Sequence, residues 1–244
     1  MSRTLVVGDI HGGYKGLVQL FERAKVTTAD RLIFLGDYVD GWSESDKVVD
    51  FLLELEQTHS CLFLRGNHES LLTQWILTRE EKPQWFKNGG DASVAAYKNL
   101  SEEEIARHLD FFQRLKNYYI DAENRLFVHA GFTNPRGIEA EFFEEYLYWD
   151  RTLWEMVMAM DPTLKQSDPL YPKRLKFHNE IYIGHTPVTH FGFDTPVNFA
   201  NVWNIDTGAA FFGKITLMDI DTKEYWQSDT IADLYPTEEG RNHK

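Results

Sequence analysis

The chain has 244 residues, 43% of them hydrophobic, and a formal net charge of −13. That length and apolar content suit one α/β domain with a sizeable core. The acidic balance argues against a nucleic-acid duplex as partner. A single cysteine, Cys61, excludes a disulfide scaffold and a cysteine-based zinc site, and it points to a reducing cytoplasm. No apolar run approaches the roughly 20 residues needed to span a bilayer. The N-terminal residues lead directly into a strand, so neither a signal peptide nor a membrane partner is expected.

Thr4-Leu5-Val6-Val7 reads as a buried strand, and Leu17, Val18, Leu20 and Phe21 recur at helical spacing after it. Between them lies Gly8-Asp9-Ile10-His11-Gly12-Gly13, which could cradle a phosphate or present Asp9 and His11 to a metal. Arg31 to Leu35 is a second apolar run. It ends in Gly36-Asp37-Tyr38-Val39-Asp40-Gly41, before a helix with Val48, Val49, Phe51, Leu52, Leu53 and Leu55 on its apolar face and Ser43 or Ser45 as cap. Cys61 to Leu64 is a third strand, with Cys61 as a small core residue. It ends in Arg65-Gly66-Asn67-His68-Glu69 and a helix through Leu71, Leu72, Trp75 and Ile76. Three strand–turn–helix units imply a parallel sheet whose polar turns share one edge.

The middle reads as a loop at 85–90, helices at 91–100 and 101–115, and a capping box between Ser101 and Glu104. Strands at 118–121 and 125–128 follow, the second entering His129-Ala130-Gly131. Residues 142–160 read as one or two helices around Trp149-Asp150-Arg151, and 162–172 as a loop. Ile181-Tyr182-Ile183 is a strand ending in Gly184-His185-Thr186-Pro187. Runs near 200–205, 214–219 and 224–227 suggest a second, antiparallel sheet, and the last dozen residues a frayed end.

Any one Asp, Asn or His at a turn is most simply a cap or turn residue. Five separate apolar runs ending in glycine beside such residues favour a shared site. Carboxylates, imidazoles and an amide without thiolate suit manganese, iron, cobalt, nickel or zinc better than magnesium. The donors exceed the needs of one ion. Two ions about 3.5–4 Å apart would use them all, in the arrangement by which a metal-bound hydroxide attacks a phosphoester.

The stretches at 8–12, 36–40, 66–69, 129–131 and 184–187 resemble calcineurin-like metallophosphoesterases, a fold of two facing mixed sheets flanked by helices. In order and spacing they are similar to the phosphoprotein-phosphatase branch, which includes bacterial and phage serine/threonine phosphatases and diadenosine tetraphosphatases. The resemblance implies two divalent metal ions, manganese first. Asp9, His11 and Asp37 would hold one, and Asp37 would bridge to a second held by Asn67, His129 and His185. His68 would protonate the leaving oxygen with Asp40 orienting it, and Asn67 and His68 would also touch phosphate. Arg65 would give structural support. Arg151 stands where relatives carry a phosphate-binding arginine, with a helix-surface ion pair as the alternative. Asn88-Gly89-Gly90 resembles a loop near the site, or is a plain turn. One position departs: relatives continue Gly-Asp-x-Val-Asp with a phosphate-binding arginine, and here Gly41 is followed by Trp42. Trp42 could stack on a base or pack against the following helix.

The expected activity is hydrolysis of phosphomonoesters, with a phosphoserine or phosphothreonine protein as substrate. The alternatives are dinucleoside polyphosphate or other small-phosphate hydrolysis, and a non-catalytic metal- or phosphate-binding module.

Overall fold

The computed structural model describes residues 2–242. In chain order, β1 (Thr4–Val7) leads to α1 (Tyr14–Ala24), β2 (Arg31–Phe34) to α2 (Ser45–Leu55) and β3 (Ser60–Phe63) to α3 (Asn67–Thr78). The short α4 (Pro83–Trp85), a wide turn at Phe86–Gly90, α5 (Asp91–Tyr97) and α6 (Glu102–Arg114) follow. Then come β4 (Tyr118–Ile120), β5 (Arg125–Val128), α7 (Tyr146–Trp149), α8 (Thr152–Ala159) and β6 (Glu180–Ile183). Last are β7 (Val197–Phe199), β8 (Val202–Asn204), β9 (Thr216–Asp219), β10 (Tyr225–Gln227) and α9 (Ile231–Leu234). No helix among the described residues is long and apolar enough to cross a membrane.

Two five-stranded sheets form, in the orders β10-β9-β1-β2-β3 and β4-β5-β6-β8-β7. In each, three central or adjoining strands are parallel, β1-β2-β3 and β5-β6-β8. Side-chain alternation along these strands fixes the layers. Leu5, Val7, Leu32 and Phe34 point outward into a core shared with the first group of helices. Leu126, Val128, Ile181 and Ile183 point outward into a second core with α7 and α8. The residues between them, Val6, Ile33, Phe127 and Tyr182, fill the layer where the sheets face each other. Phe127 and Tyr182 stack there with centroids 5.0 Å apart. Burial on both faces explains why these strands read as continuous apolar runs.

Several expectations are corrected. The late runs do not form a sheet of their own. β9 pairs antiparallel with β1, Leu5 opposite Asp219, and β10 with β9, so both extend the first sheet. β8 joins the second sheet parallel to β6. The expected loop at 85–90 is a helical turn that buries Trp85. Neither Ser43 nor Ser45 caps α2 with its side chain. The segment after β10 is packed, not frayed, through its described residues: Ile231 and Tyr235 are buried. The capping box of α6 is present, with Ser101 Oγ accepting from Glu104 N–H at 3.3 Å. Cys61 is half-buried in β3, and burial pushes its thiol up to about 12, which suits a packing residue.

Candidate metal centre

The carboxyl ends of both parallel triplets meet at one edge. Asp9 and His11 follow β1, Asp37 and Asp40 follow β2, and Asn67 and His68 open α3 after β3. From the other sheet come His129 after β5 and His185 after β6. All eight are buried. The turns are tied to one another through backbone: Asp37 carbonyl accepts from the N–H groups of Ile10 and His11, both at 2.9 Å, and His129 carbonyl from Gly184 N–H at 2.8 Å.

Four of these residues, His11, Asp37, Asp40 and His185, lie in the left-handed region, with φ of 51°, 53°, 70° and 67°. Each such residue costs of order 1–3 kcal/mol and persists only where its surroundings enforce it. Here they do. Glu69 accepts from Asp37 N–H at 3.0 Å, Tyr38 N–H at 2.7 Å and Gly66 N–H at 2.8 Å. Asp40 N–H donates to Ser45 Oγ and Ser93 Oγ. His185 N–H donates to the Asp9 carboxylate, 3.1 Å from Oδ2. Two glycines make this closeness possible. A Cβ at Gly66 would stand 2.1 Å from Asp37 Oδ1, and one at Gly184 would stand 2.1 Å from Asp9 Oδ1.

Asp37 is central. Its Oδ2 lies 3.6 Å from His11 Nε2, 3.9 Å from His68 Nε2 and 3.4 Å from His129 Nε2. The clusters His11–Asp37–His68 and Asp37–His129–His185 each have the spacing to hold a metal ion. The donor chemistry fits one. His129 Nδ1–H donates to Leu35 carbonyl at 2.9 Å, so in the neutral ring a bare Nε2 faces Asp37 Oδ2 and Asn67 Oδ1, both at 3.4 Å. Three lone pairs pointing together require a proton or a cation. Burial works against a charged His129, yet the Asp37 carboxylate raises its affinity for a proton, the place a cation would take. Burial likewise opposes the Asp37 charge, and His129 and His68 hold that carboxyl well below its ordinary range. His185 Nδ1 is buried without a protein partner.

His68 and Asp40 form a pair of their own. His68 Nδ1–H donates to Asp40 Oδ2 at 2.6 Å, and Trp85 Nε1–H donates to the same oxygen at 2.6 Å. Arg151 Nε lies 3.3 Å from His185 Nε2, and Arg65 braces the carbonyl of Phe112. Asn88 Oδ1 accepts from Arg241 Nη2 at 3.4 Å, and Gly41 N–H donates to Gly89 carbonyl at 3.0 Å. Trp42 is fully buried, its Nε1–H donating to Ala209 carbonyl at 2.7 Å, and is closed to any ligand.

The sequence reading passed over Asp206, Glu69 and Trp85. Asp206 follows β8, the third parallel strand of the second sheet. Its Oδ1 accepts from Gly208 N–H at 2.9 Å, while Oδ2 is buried with no partner. Burial, with the Asp37 charge adding to it, pushes its carboxyl up to about 6. Burial and Asp37 push Glu69 up to about 7. Asp9 too is raised, by burial and then by Asp206 and Asp37. So many buried acids pressed together is the electrostatic mark of a cation site.

A model of the calcineurin-like phosphoesterase family matches residues 2–213. The chain belongs to this family. The phosphoesterase is 28% identical to the asymmetrical bis(5'-nucleosyl)-tetraphosphatase PrpE of Geobacillus thermodenitrificans, over 87% of this chain and 88% of that protein. It is equally 28% identical to serine/threonine-protein phosphatase 1 of Salmonella typhimurium, over 88% and 90%. Among solved structures, a Saccharomyces cerevisiae protein serine/threonine phosphatase superposes with a TM-score of 0.61 at 16% identity, covering 94% of this chain and 80% of the other. The phosphoesterase is therefore a hydrolase of a family that uses divalent metals, with the facing mixed sheets expected of it.

Proposed function

We propose that the chain is a dinuclear-metal phosphoesterase acting on small phosphate compounds that carry an aromatic group, dinucleoside polyphosphates first. The phosphoesterase chemistry is carried by the convergence of Asp9, His11, Asp37, Asn67, His129 and His185 on one edge. The fit of His129, Asp37 and Asn67 to a cation supports it. Asp9, His11 and Asp37 would hold one ion, and Asp37, Asn67, His129 and His185 the other. Asp206 is a further carboxylate at their side. Manganese suits this mixed imidazole and carboxylate set, as do iron, zinc, cobalt and nickel. When bound, the ions would supply a water acidic enough to attack phosphorus near neutral pH and would neutralise phosphate oxygens.

The remaining work falls to this chain's side chains. Asp40 and Trp85 fix the orientation of His68, so its Nε2 can carry the proton delivered to the leaving oxygen. Asn67 and His68 border the phosphate, and the Arg151 fork suits its oxygens.

The substrate class is read from Trp149. It is 43% exposed, and its ring stands 6.4 Å from the ring of His185, within reach of a group attached to a bound phosphate. An exposed indole there offers a face on which a base can stack. The PrpE similarity points the same way. The Salmonella relative favours a second reading, a phosphoserine or phosphothreonine protein.

The test compares a dinucleoside tetraphosphate, phosphopeptides and glycerol phosphate with manganese. The expected order of kcat/KM puts the dinucleotide first. Trp149→Ala should lower its kcat/KM about tenfold, the worth of one stacked base, and spare glycerol phosphate. Faster turnover of phosphopeptides replaces the nucleotide reading with the second one. No turnover with any of these metals in folded protein removes the enzyme reading.

A further inference from the structure

Arg241 lies outside the family-matched residues, yet its guanidinium enters the metal centre. Nη1 stands 3.3 Å from His68 Nε2, and Nη2 stands 3.4 Å from Asn88 Oδ1. The guanidinium carbon lies 5.0 Å over the ring of Phe211, and the backbone N–H donates to Ala210 carbonyl at 3.0 Å. Burial works against its charge, while Asp37, Asp40 and Asp206 favour it. A cation has been brought to the catalytic histidine by the last described stretch of the chain.

Its position corresponds to the gap left by Gly41. That residue has φ +94°, a conformation L side chains rarely adopt, and a Cβ built there would stand 3.9 Å from Arg241 Cγ. The stem of Arg241 thus runs beside the place where a side chain at position 41 would begin. The residues after Gly41 form the dock for the incoming segment. Trp42 stacks on Tyr235 with centroids 5.4 Å apart, and Gly240 packs so closely on Trp42 that a Cβ would stand 2.7 Å from its Cζ2. Glu238 accepts from Ser43 N–H at 3.0 Å and from Ser43 Oγ at 2.7 Å, and the Tyr235 hydroxyl meets Glu44. Trp42, which the sequence offered either as a base-stacking residue or as a packing one, packs, and is the floor on which this segment rests.

The geometry points to Arg241 as a phosphate-binding residue of this enzyme, working with Arg151 and delivered by the segment after β10 in place of an arginine at position 41. The assignment rests on the phosphoesterase reading. A guanidinium carries five N–H donors in a fixed fork. Two contacts here leave donors for phosphate oxygens, and charge-assisted pairs of this kind are the stronger hydrogen bonds.

The test is titration calorimetry of inorganic phosphate into the manganese-loaded full chain, with metal content and thermal melts on the same samples. Arg241→Gln should weaken phosphate binding about tenfold or more, with metal content and melting unchanged. Arg241→Lys should regain part of it, as a point charge without the fork. In turnover of glycerol phosphate, Arg241→Gln should raise KM more than it lowers kcat. Glu238→Ala, which loosens the dock without touching the guanidinium, should weaken phosphate binding in the same direction, and it carries the test if Arg241→Gln does not fold. Unchanged phosphate affinity in Arg241→Gln beside an active, phosphate-binding wild type overturns the role of Arg241 alone. Loss of phosphate binding only together with the metal also overturns it. A wild-type chain that neither binds phosphate nor hydrolyses any phosphate overturns both this role and the phosphoesterase reading.

Discussion

His68 shows how a single proton position can be checked. With Nδ1–H committed to Asp40, only Nε2 can serve a leaving oxygen. His68→Asn should lower the rate on an unactivated alkyl phosphate by roughly 10²-fold or more. A nitrophenyl phosphate, whose leaving group needs no proton, should lose far less. Equal losses on both substrates would remove His68 from the acid role. Asp206 gives the corresponding pH experiment. Its folded-state carboxyl sits at about 6 against an ordinary 3.8, so the folded chain holds that proton more tightly than the unfolded chain does. The penalty for ionising it is therefore fully present above about pH 6 and fades as pH falls toward 4. In chelator-treated protein, Asp206→Asn should stabilise at pH 8, by roughly 3 kcal/mol at most, and have almost no effect at about pH 3, below the ordinary carboxyl value. A gain of the same size at both pH values would show that the charge is not the cause. Asp206 was readable in principle, since Ile205-Asp206-Thr207-Gly208 repeats the strand-end pattern, but no histidine marks it. Glu69 was readable only in part: its bond from Gly66 N–H has the i, i+3 spacing of a capping box, but its bonds from Asp37 and Tyr38 N–H join two turns and leave no trace in residue spacing.

At the scale of elements, the strand-end glycines act across turns. In sequence, the turn at 8–13 presents Asp9 and His11 among glycines of its own. The close approaches instead come from Gly184 to Asp9 and from Gly66 to Asp37. Gly184→Ala should therefore cut metal affinity 10- to 100-fold, the usual cost of disturbing the support of a ligand, although residue 184 offers no donor side chain. Metal titration followed by calorimetry checks this, and wild-type affinity would mean that Asp9 adjusts freely. The first three strand–turn–helix units were legible because each is local, an apolar run followed by a helical period. The place of β9 beside β1 was not, because that pairing joins residues about 200 positions apart and nothing local records it. The same holds for the segment carrying Arg241, whose polar composition resembles a frayed end and whose dock lies at Trp42 to Glu44.

For the whole molecule, the proposed ligands come from both sheets, Asp9, His11, Asp37 and Asn67 from one and His129 and His185 from the other. Acids that repel one another when the site is bare should be held together when it is filled. Chelation should lower the melting temperature, and re-addition of metal at 100 times its dissociation constant should restore about 2.7 kcal/mol per ion bound only by the folded chain. Melting that ignores metal would mean that no ion joins the two sheets.

The place of Asp37 in both candidate clusters has a kinetic side. An ion shared by Asp37 and His129 would tie two distant points of the chain, as a removable cross-link closing a long loop. Such a tie forms only once the sheets have met, so it should act mainly by slowing their separation. Hydrogen exchange would then see the metal along the strands that carry its ligands. In chelated protein the amides of β5 and β6, at the layer where Phe127 stacks on Tyr182, should open sooner than those beneath the helices of the first sheet, and a filled centre should close that difference.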